Sequence, residues 1–532
     1  MEKTINDLLL MLQSEDPRLA DICRSLFERA SISLHLSITD FRLEDFSRLA
    51  ELAVRELEEA DRRRFYEALI KNLKAFGSKL PEQLERKIVE KRLPPGERIH
   101  GFSEVVYDVD LKSAVREASR CLKCRTPRCV EACPLNFPVP GFLSMVAQRK
   151  FDQAMKLALR IMPSLMTCGR ICVAYCEKAC TLGQLSGEPV RIRSIKRAIA
   201  DRYFKLENFP RPAKSKNFKI AVIGSGPAGL TAAYRLRLLG YAVDVFEAEE
   251  RIGGELIRRI PEFKLPSRIV EKEVELVRRL GVAFKTGVRV GRDVDLGELM
   301  NQDYAAMFIA TGAGVPRLPE IPGSDLDGVE IALTFLEEVK LGKRRSIDGI
   351  VWVVGGGNVA VDAARTALRL GARSAKIMYR RTRKEMTAFP EEVEEALREG
   401  VEIEFLTQPI EIIGENGRVK KVRCIRMRLG EPGPDGRRKP IPIEGSEFEV
   451  EADHVIFAIG EQPESGWIKE EYGIELTGRK SIKVDSRLRT SRKGVFAGGD
   501  VVRGPSDYAL ATADGIRAAR EIDKYLKSEK RA

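Results

Sequence analysis

The chain carries a glycine-rich strand–turn–helix pattern twice, and that doubling limits its fold more than anything else in its 532 residues. In the first copy, FKIAVIGSGPAGLTAAYRLRLLGYAVDVFEAE, the apolar run from Phe218 to Ile223 reads as a buried strand. Gly224, Gly226 and Gly229 follow in G-x-G-x-x-G spacing, with Pro227 and Ala228 opening a helix. The first glycine permits the tight turn, the second lets backbone approach a pyrophosphate, and the third lets helix lie on strand. The helix N-terminus adds N–H donors for phosphate oxygens. A second strand ends at Glu247, where a carboxylate can accept hydrogen bonds from ribose hydroxyls.

The second copy, GIVWVVGGGNVAVDAARTALRLGARSAKIMYRRTRKEM, ends differently. Its strand leads into Gly355, Gly356 and Gly357; Asn358 and Val359 follow, and Ala360 takes the third glycine position. The next strand runs to Tyr379, Arg380 and Arg381, with Arg383 and Lys384 beyond. Guanidinium forks in place of an acid suit a 2′-phosphate, which predicts NADPH over NADH. An acid-ended and an arginine-ended turn in one chain predict FAD at the first and NADP(H) at the second. No cysteine pair follows either turn, since Cys424 is alone there. Electrons reaching a flavin must therefore leave by a route other than a redox disulfide.

Eight of the ten cysteines fall between Cys121 and Cys180. The first group is Cys121, Cys124, Cys129 and Cys133, with Pro134 after the last; the second is Cys168, Cys172, Cys176 and Cys180, each four apart. The first resembles the bacterial ferredoxin run, with x4 in place of x2 between its second and third cysteines. Cys-x2-Cys pairs also suit tetrahedral zinc, yet zinc carries no electrons, so iron–sulfur is the favoured reading. The three histidines, His35, His100 and His454, lie away from the cluster, which disfavours histidine-based zinc sites and a Ser-His-Asp triad.

Composition narrows the class further. Hydrophobic residues at 43% and charged residues at 32% exclude a disordered chain. No apolar stretch is long enough to span a bilayer, and the N-terminus reads as lacking a signal peptide, so a cytoplasmic protein is expected. The formal net charge of +12 matches the net of residues 91–215 alone. A basic excess suggests nucleic acid, but this segment lacks aromatic interleaving or a recognisable binding module. A zinc-containing nucleic-acid-binding protein is accordingly disfavoured. The same positive charge can offset anionic clusters and dock an acidic electron partner. Asn and Gln together number only 16, which with abundant Arg, Lys and Glu points to a hot environment.

Five segments are expected. Residues 1–90 read as a helical extension of unknown role, with Phe46, Leu49, Leu52, Ala53, Leu57 and Phe65 forming one apolar stripe and Asp40 capping it. Residues 91–215 hold the cysteines. An FAD domain occupies 216–325 and resumes at 456–532, with an NADP(H) domain at 326–455 between its parts. The predicted class is α/β: a helical region and a helical iron–sulfur domain, then two Rossmann-like domains, one inserted in the other.

The motifs EASRCLKCRTPRCVEACP, CGRIC…CEKAC, VIGSGPAGLTAA, RIGGEL, IPEFKLP, GGGNVAVDAAR, YRR and FAGGD together resemble the small (beta) subunit family of NADPH-dependent glutamate synthase. That family also holds the large subunit of bifurcating ferredoxin–NADP oxidoreductase and the N-terminal half of dihydropyrimidine dehydrogenase. The resemblance implies that NADPH reduces FAD and that iron–sulfur clusters carry electrons to a partner. That partner would be a glutamate synthase large subunit, or ferredoxin or another flavoprotein subunit, within an oligomer; a sulfide dehydrogenase-like role is the neighbouring alternative. It places Gly253, Gly254, Leu256, Lys264, Thr311, Gly499 and Asp500 at the FAD. It implies one 4Fe–4S cluster on Cys121, Cys124, Cys129 and Cys180, and another on Cys133, Cys172 and Cys176, with Cys168 a non-ligand. Relatives complete the second cluster with Glu or Gln, where this chain has Lys196; its fourth position is left open to Cys168, a water, another chain's group or a three-iron form.

Overall fold

The computed structural model describes residues 3–38, 40–85, 87–206 and 210–529. It divides into two compact units, Met1–Lys91 with Asp108–Pro210, and Arg92–Tyr107 with Arg211–Ala532.

The first unit is helical. Its N-terminal helices run Ile5–Glu15, Pro17–Arg29, Leu43–Glu56 and Glu59–Ala75. Thr4 and Asp16 cap the first two through their side chains, satisfying donors that a helix start leaves open. The expected single apolar stripe is broken. Leu57 adopts extended backbone, and a new helix starts at Glu59 with Glu59 and Asp61 in its first turn, where acids favour the positive helix end. Phe65 thus belongs to a different helix from Phe46 and Leu49. Asp40 does not cap either; the helix begins at Leu43, and the Arg42 N–H donates to Asp45 at 3.1 Å.

Short helices carry the cysteine region, among them Leu111–Ala118, Arg128–Glu131, Val139–Ala147, Leu165–Ile171, Thr181–Ser186 and Ile192–Tyr203. A buried ion pair anchors them. Arg120, 0% exposed, pairs with Glu117 and donates to the carbonyls of Leu84 at 2.7 Å and Glu188 at 2.9 Å. Glu117 in turn accepts from the N–H groups of Lys87, Ile88 and Arg191. Removing one member of such a pair strands a buried charge, at a cost of about 3–5 kcal/mol.

The second unit holds two five-stranded sheets. The first orders Val495–Ala497, Tyr304–Ile309, Lys219–Ile223, Ala242–Phe246 and Ala283–Lys285, all paired in parallel. The second orders Glu402–Phe405, Ser374–Tyr379, Ile350–Val354, His454–Phe457 and Val329–Ile331, again all parallel. The chain therefore leaves the first sheet after Ile309, builds the second, and returns at Val495 to complete the first. Parallel strands need helices on their faces, which explains their uninterrupted Val/Ile/Ala composition. The helix Tyr508–Glu529 packs on Pro227–Leu238, where a side chain at Gly515 would collide with the Ala228 carbonyl. An antiparallel sheet, led by Thr407–Glu415, Arg418–Pro432 and Arg438–Pro442, flanks the second parallel one. Among the described residues no helix is long and apolar enough to cross a membrane.

Candidate functional site

The first glycine turn sits at the carboxyl end of its sheet, where open α/β sheets take ligands. Gly224 has φ +99°, which favours glycine, and a Cβ there would strike the Ala310 carbonyl. A Cβ at Gly229 would overlap the Gly224 carbonyl oxygen, while one at Gly226 would meet nothing within 4 Å. The third glycine thus brings helix onto strand, and the second faces open space. That division of labour fits a pyrophosphate over Gly226, cradled by the first turn of Pro227–Leu238.

Glu247 stands beside this turn. It accepts from the Ser225 N–H at 2.9 Å and from the Ser225 hydroxyl, and its other oxygen accepts from the Glu249 N–H at 3.0 Å. Ser225 then accepts from the Gly253 N–H at 2.9 Å. Gly254, at φ +56°, would place a Cβ 2.8 Å from Gly226 Cα, so the two loops touch. Gly499, at φ +76°, lies over Ala228, and its N–H donates to Asp514 at 2.7 Å. Leu256 is buried, and the Thr311 hydroxyl donates to the Glu464 carbonyl at 2.9 Å. The segments carrying Gly253, Gly254, Gly499 and Asp500 thus converge on the first turn.

Three carboxyls gather in this region. Burial, with Glu255 and Asp500 near, pushes Glu461 up to about 8. Burial also raises Glu255 and Asp500. Glu461 was not singled out in the sequence, because nothing local marks an acid after Gly460 as buried.

The second turn is built differently. At the position of Ser225 stands Gly356, and a Cβ there would fall inside the Tyr379 ring. The Tyr379 hydroxyl donates to the Glu385 carbonyl at 2.7 Å. The Thr387 and Ala388 N–H groups donate to the Gly356 carbonyl, both at 3.0 Å, and Asn358 accepts from the Phe389 N–H at 2.9 Å. Ala360 is buried and Gly355 packs on Ala458, while Gly357 and Val359 flank the helix start of Asn358–Arg369.

Arg380 is exposed, with Arg381 and Arg437 as its basic neighbours. Arg381 donates to the Arg438 carbonyl at 2.7 Å. The hairpin ending in Arg438–Pro442 thus brings two further arginines to the basic end, which the sequence reading missed; the GPDGRRKP turn was their only signal. Lys264 is held by carboxylates of the second turn's helices. Its Nζ is 2.9 and 3.1 Å from the Asp362 oxygens and 3.3 Å from Glu392, so its charge is matched by the helix of the second turn and the one after it.

In the first unit, Cys121, Cys124, Cys129 and Cys180 line one small cavity, closed by Leu122, Val139, Leu143 and Ile192. Burial pushes the Cys121 and Cys129 thiols up to about 12, so they stay protonated until a metal group displaces the protons. Four thiols around an apolar cavity fit an iron–sulfur cluster by donor chemistry. Among the described residues, no three His, Cys, Asp or Glu side chains are drawn together tightly enough for a single ion. The loop between Cys124 and Cys129 is held by Glu51, which accepts from the Arg125 N–H at 2.8 Å, the Thr126 N–H at 3.3 Å and the Thr126 hydroxyl at 2.8 Å. Cys133, Cys168, Cys172 and Cys176 form the other group, around Lys196.

Residues 218–515 match the family described as pyridine nucleotide-disulphide oxidoreductase, and residues 98–208 match dihydropyrimidine dehydrogenase domain II, 4Fe-4S cluster. The chain is 36% identical to the small chain of glutamate synthase [NADPH] from Azospirillum brasilense, covering 84% of this chain and 96% of that one. It is 38% identical to the NADP(+)-dependent formate dehydrogenase subunit beta of Moorella thermoacetica, over 76% of this chain. It is 36% identical to the NADPH-Fe(3+) oxidoreductase subunit beta of Geobacter sulfurreducens, also over 76%. The chain spans only 60% and 64% of the length of those last two relatives. Among solved structures, Mycobacterium tuberculosis FprA in complex with NADPH aligns at TM-score 0.51 and 21% identity, covering 59% of this chain and 86% of that chain. That likeness concerns the fold alone.

Proposed function

Because the chain belongs to the family of glutamate synthase small chains, we propose that it is the electron-input module of a larger cytoplasmic oxidoreductase, taking electrons from NADPH and handing them to a partner subunit. The observation that carries this reading is the pairing, in one chain, of an acid-ended and an arginine-ended dinucleotide turn with two four-cysteine groups. When bound, FAD would accept hydride from NADPH and release single electrons to 4Fe–4S clusters.

The chain's own residues bind and orient. Gly226, Pro227, Ala228 and Gly229 offer backbone and helix N-terminus to the FAD pyrophosphate, and Glu247 takes the ribose hydroxyls. Gly253, Gly254, Leu256, Thr311, Gly499 and Asp500 enclose the remainder. Gly355, Gly357, Asn358, Val359 and Ala360 receive NADP(H), with Arg380 and Arg381 on the 2′-phosphate. Lys264, held by Asp362 and Glu392, completes the FAD site. Cys121, Cys124, Cys129 and Cys180 hold one cluster; Cys133, Cys172 and Cys176 contribute to a second.

A second reading concerns the acceptor. Similarity to the beta subunits of formate dehydrogenase and NADPH-Fe(3+) oxidoreductase favours a partner other than a glutamate synthase large subunit, such as ferredoxin or another flavoprotein. Co-purification from the native source, then NADPH oxidation with each candidate acceptor, separates the two. Glutamate formation from glutamine and 2-oxoglutarate supports the first; reduction of ferredoxin or a metal acceptor supports the second. Purified holoprotein that holds no flavin, or that oxidises NADH as well as NADPH, refutes the common core of both.

A further inference from the structure

The second cysteine group contains a fourth sulfur and a buried cation. Helix Leu165–Ile171 lies against helix Ile192–Tyr203 at Gly169, where a Cβ would come 2.7 Å from Arg197 Cα. Only glycine allows that approach, and it sets Cys168 and Lys196 on adjoining backbones. Lys196 Nζ stands 3.8 Å from Cys168 Sγ and 3.8 Å from the Phe137 ring centroid. The side chain is 3% exposed, and the four sulfurs that act on its charge are those of Cys168, Cys176, Cys172 and Cys133. The Cys172 N–H donates to the Cys168 carbonyl at 3.3 Å, one helical turn on. Cys168 therefore sits within the set that the proposed function assigns to the second cluster.

A lysine is a poor ligand here, because an ammonium has donors and no lone pair. A buried cation needs partners, and those facing this one are the Phe137 ring and the Cys168 sulfur. We propose that Cys168 is the fourth thiolate of the second cluster, and that Lys196 is a positioning residue that donates its N–H to Cys168 Sγ and neutralises the thiolate set. This rests on the reading that the chain holds two 4Fe–4S clusters. Loading the site exchanges four S–H protons for four Fe–S bonds with no change in redox state of the thiols. Lys196 then raises the reduction potential of this cluster, because reduction adds negative charge beside a fixed positive one.

The test uses anaerobically reconstituted full-length protein. Wild-type chain is expected to bind about eight irons and eight sulfides. Cys168→Gly should hold about seven irons and show the EPR signal of an oxidised three-iron cluster, and a small exogenous thiol should restore the eighth iron. Lys196→Gln should keep about eight irons and shift the midpoint potential of one cluster to more negative values, leaving the other unchanged. Cys168→Gly with about eight irons and a wild-type EPR spectrum overturns the ligand assignment, and so does iron loss that added thiol leaves unrepaired. An unshifted potential in Lys196→Gln overturns the lysine's role. Wild-type protein with about four irons, or with zinc, instead overturns the two-cluster reading beneath both.

Discussion

The two dinucleotide turns share a backbone plan and differ in what locks each turn to the end of the following strand. In the first, the second position is Ser225, and a hydrogen-bonded chain runs from Gly253 through Ser225 to Glu247. In the second, that position is Gly356, and the Tyr379 ring fills the space a side chain would take. One lock is polar and directional, the other is aromatic packing. The charge beyond each lock follows suit. Carboxyls of Glu247, Glu255, Glu461 and Asp500 collect around the first turn, whereas Arg380, Arg381, Arg437 and Arg438 collect beyond the second. One backbone plan thus carries differently charged surroundings at its two turns, which is how a site's chemistry is grafted on a common scaffold.

The largest break in that comparison is steric. Gly229→Ala would drive Cβ into the Gly224 carbonyl, and the expected result is loss of bound flavin with destabilisation of more than about 3 kcal/mol. The matching exchange, Ala360→Gly, should cost no more than about 1 kcal/mol, because the second turn already accommodates Cβ. Flavin content and thermal melts of both variants check the asymmetry; equal losses would remove it.

Next comes charge selection. Arg380→Ala with Arg381→Ala should lower kcat/KM for NADPH about 10²-fold and leave NADH nearly unchanged. Equal losses on both coenzymes would show that the arginines do not read the 2′-phosphate.

The acid side gives a pH signature. Glu461 holds its proton up to about 8, against an ordinary value of 4.5. Between those values the folded chain binds a proton that the unfolded chain has lost. Its contribution to stability is therefore full below 4.5 and lost as pH rises to about 8. Glu461→Gln should flatten that decline by roughly 1 kcal/mol per pH unit, read from melts across the window. An unaltered slope refutes the assignment. The smallest effect is Ser225→Ala, which removes one hydroxyl from the polar lock and should weaken flavin binding by about 1 kcal/mol, measured by flavin titration.

What the sequence disclosed and what it withheld divide by range along the chain. Gly224, Gly226 and Gly229 declare themselves because turn, strand and helix lie within about thirty residues, the span of one βαβ unit. The cysteine spacing is equally local. The charge of Lys264 meets Asp362 and Glu392, 98 and 128 residues on, a contact no local pattern encodes. Arg437 and Arg438 reach the basic end through a hairpin whose register sequence does not announce. The break at Leu57 escaped because its neighbours keep helical periodicity across the junction, and only the acids that follow mark a new start. Nothing local marks Arg120 as buried, since the carbonyls of Leu84 and Glu188 that satisfy it lie 36 and 68 residues away.

Glu51 belongs to a segment with no chemistry of its own, yet three of its hydrogen bonds end on the loop between Cys124 and Cys129. The N-terminal helices therefore brace the loop that joins two of the cavity's thiols. A cluster bound there would have its thiolates placed in part by a carboxylate some seventy residues before the nearest of them. A chain trimmed ahead of the cysteines would keep every thiol of both groups and lose that brace.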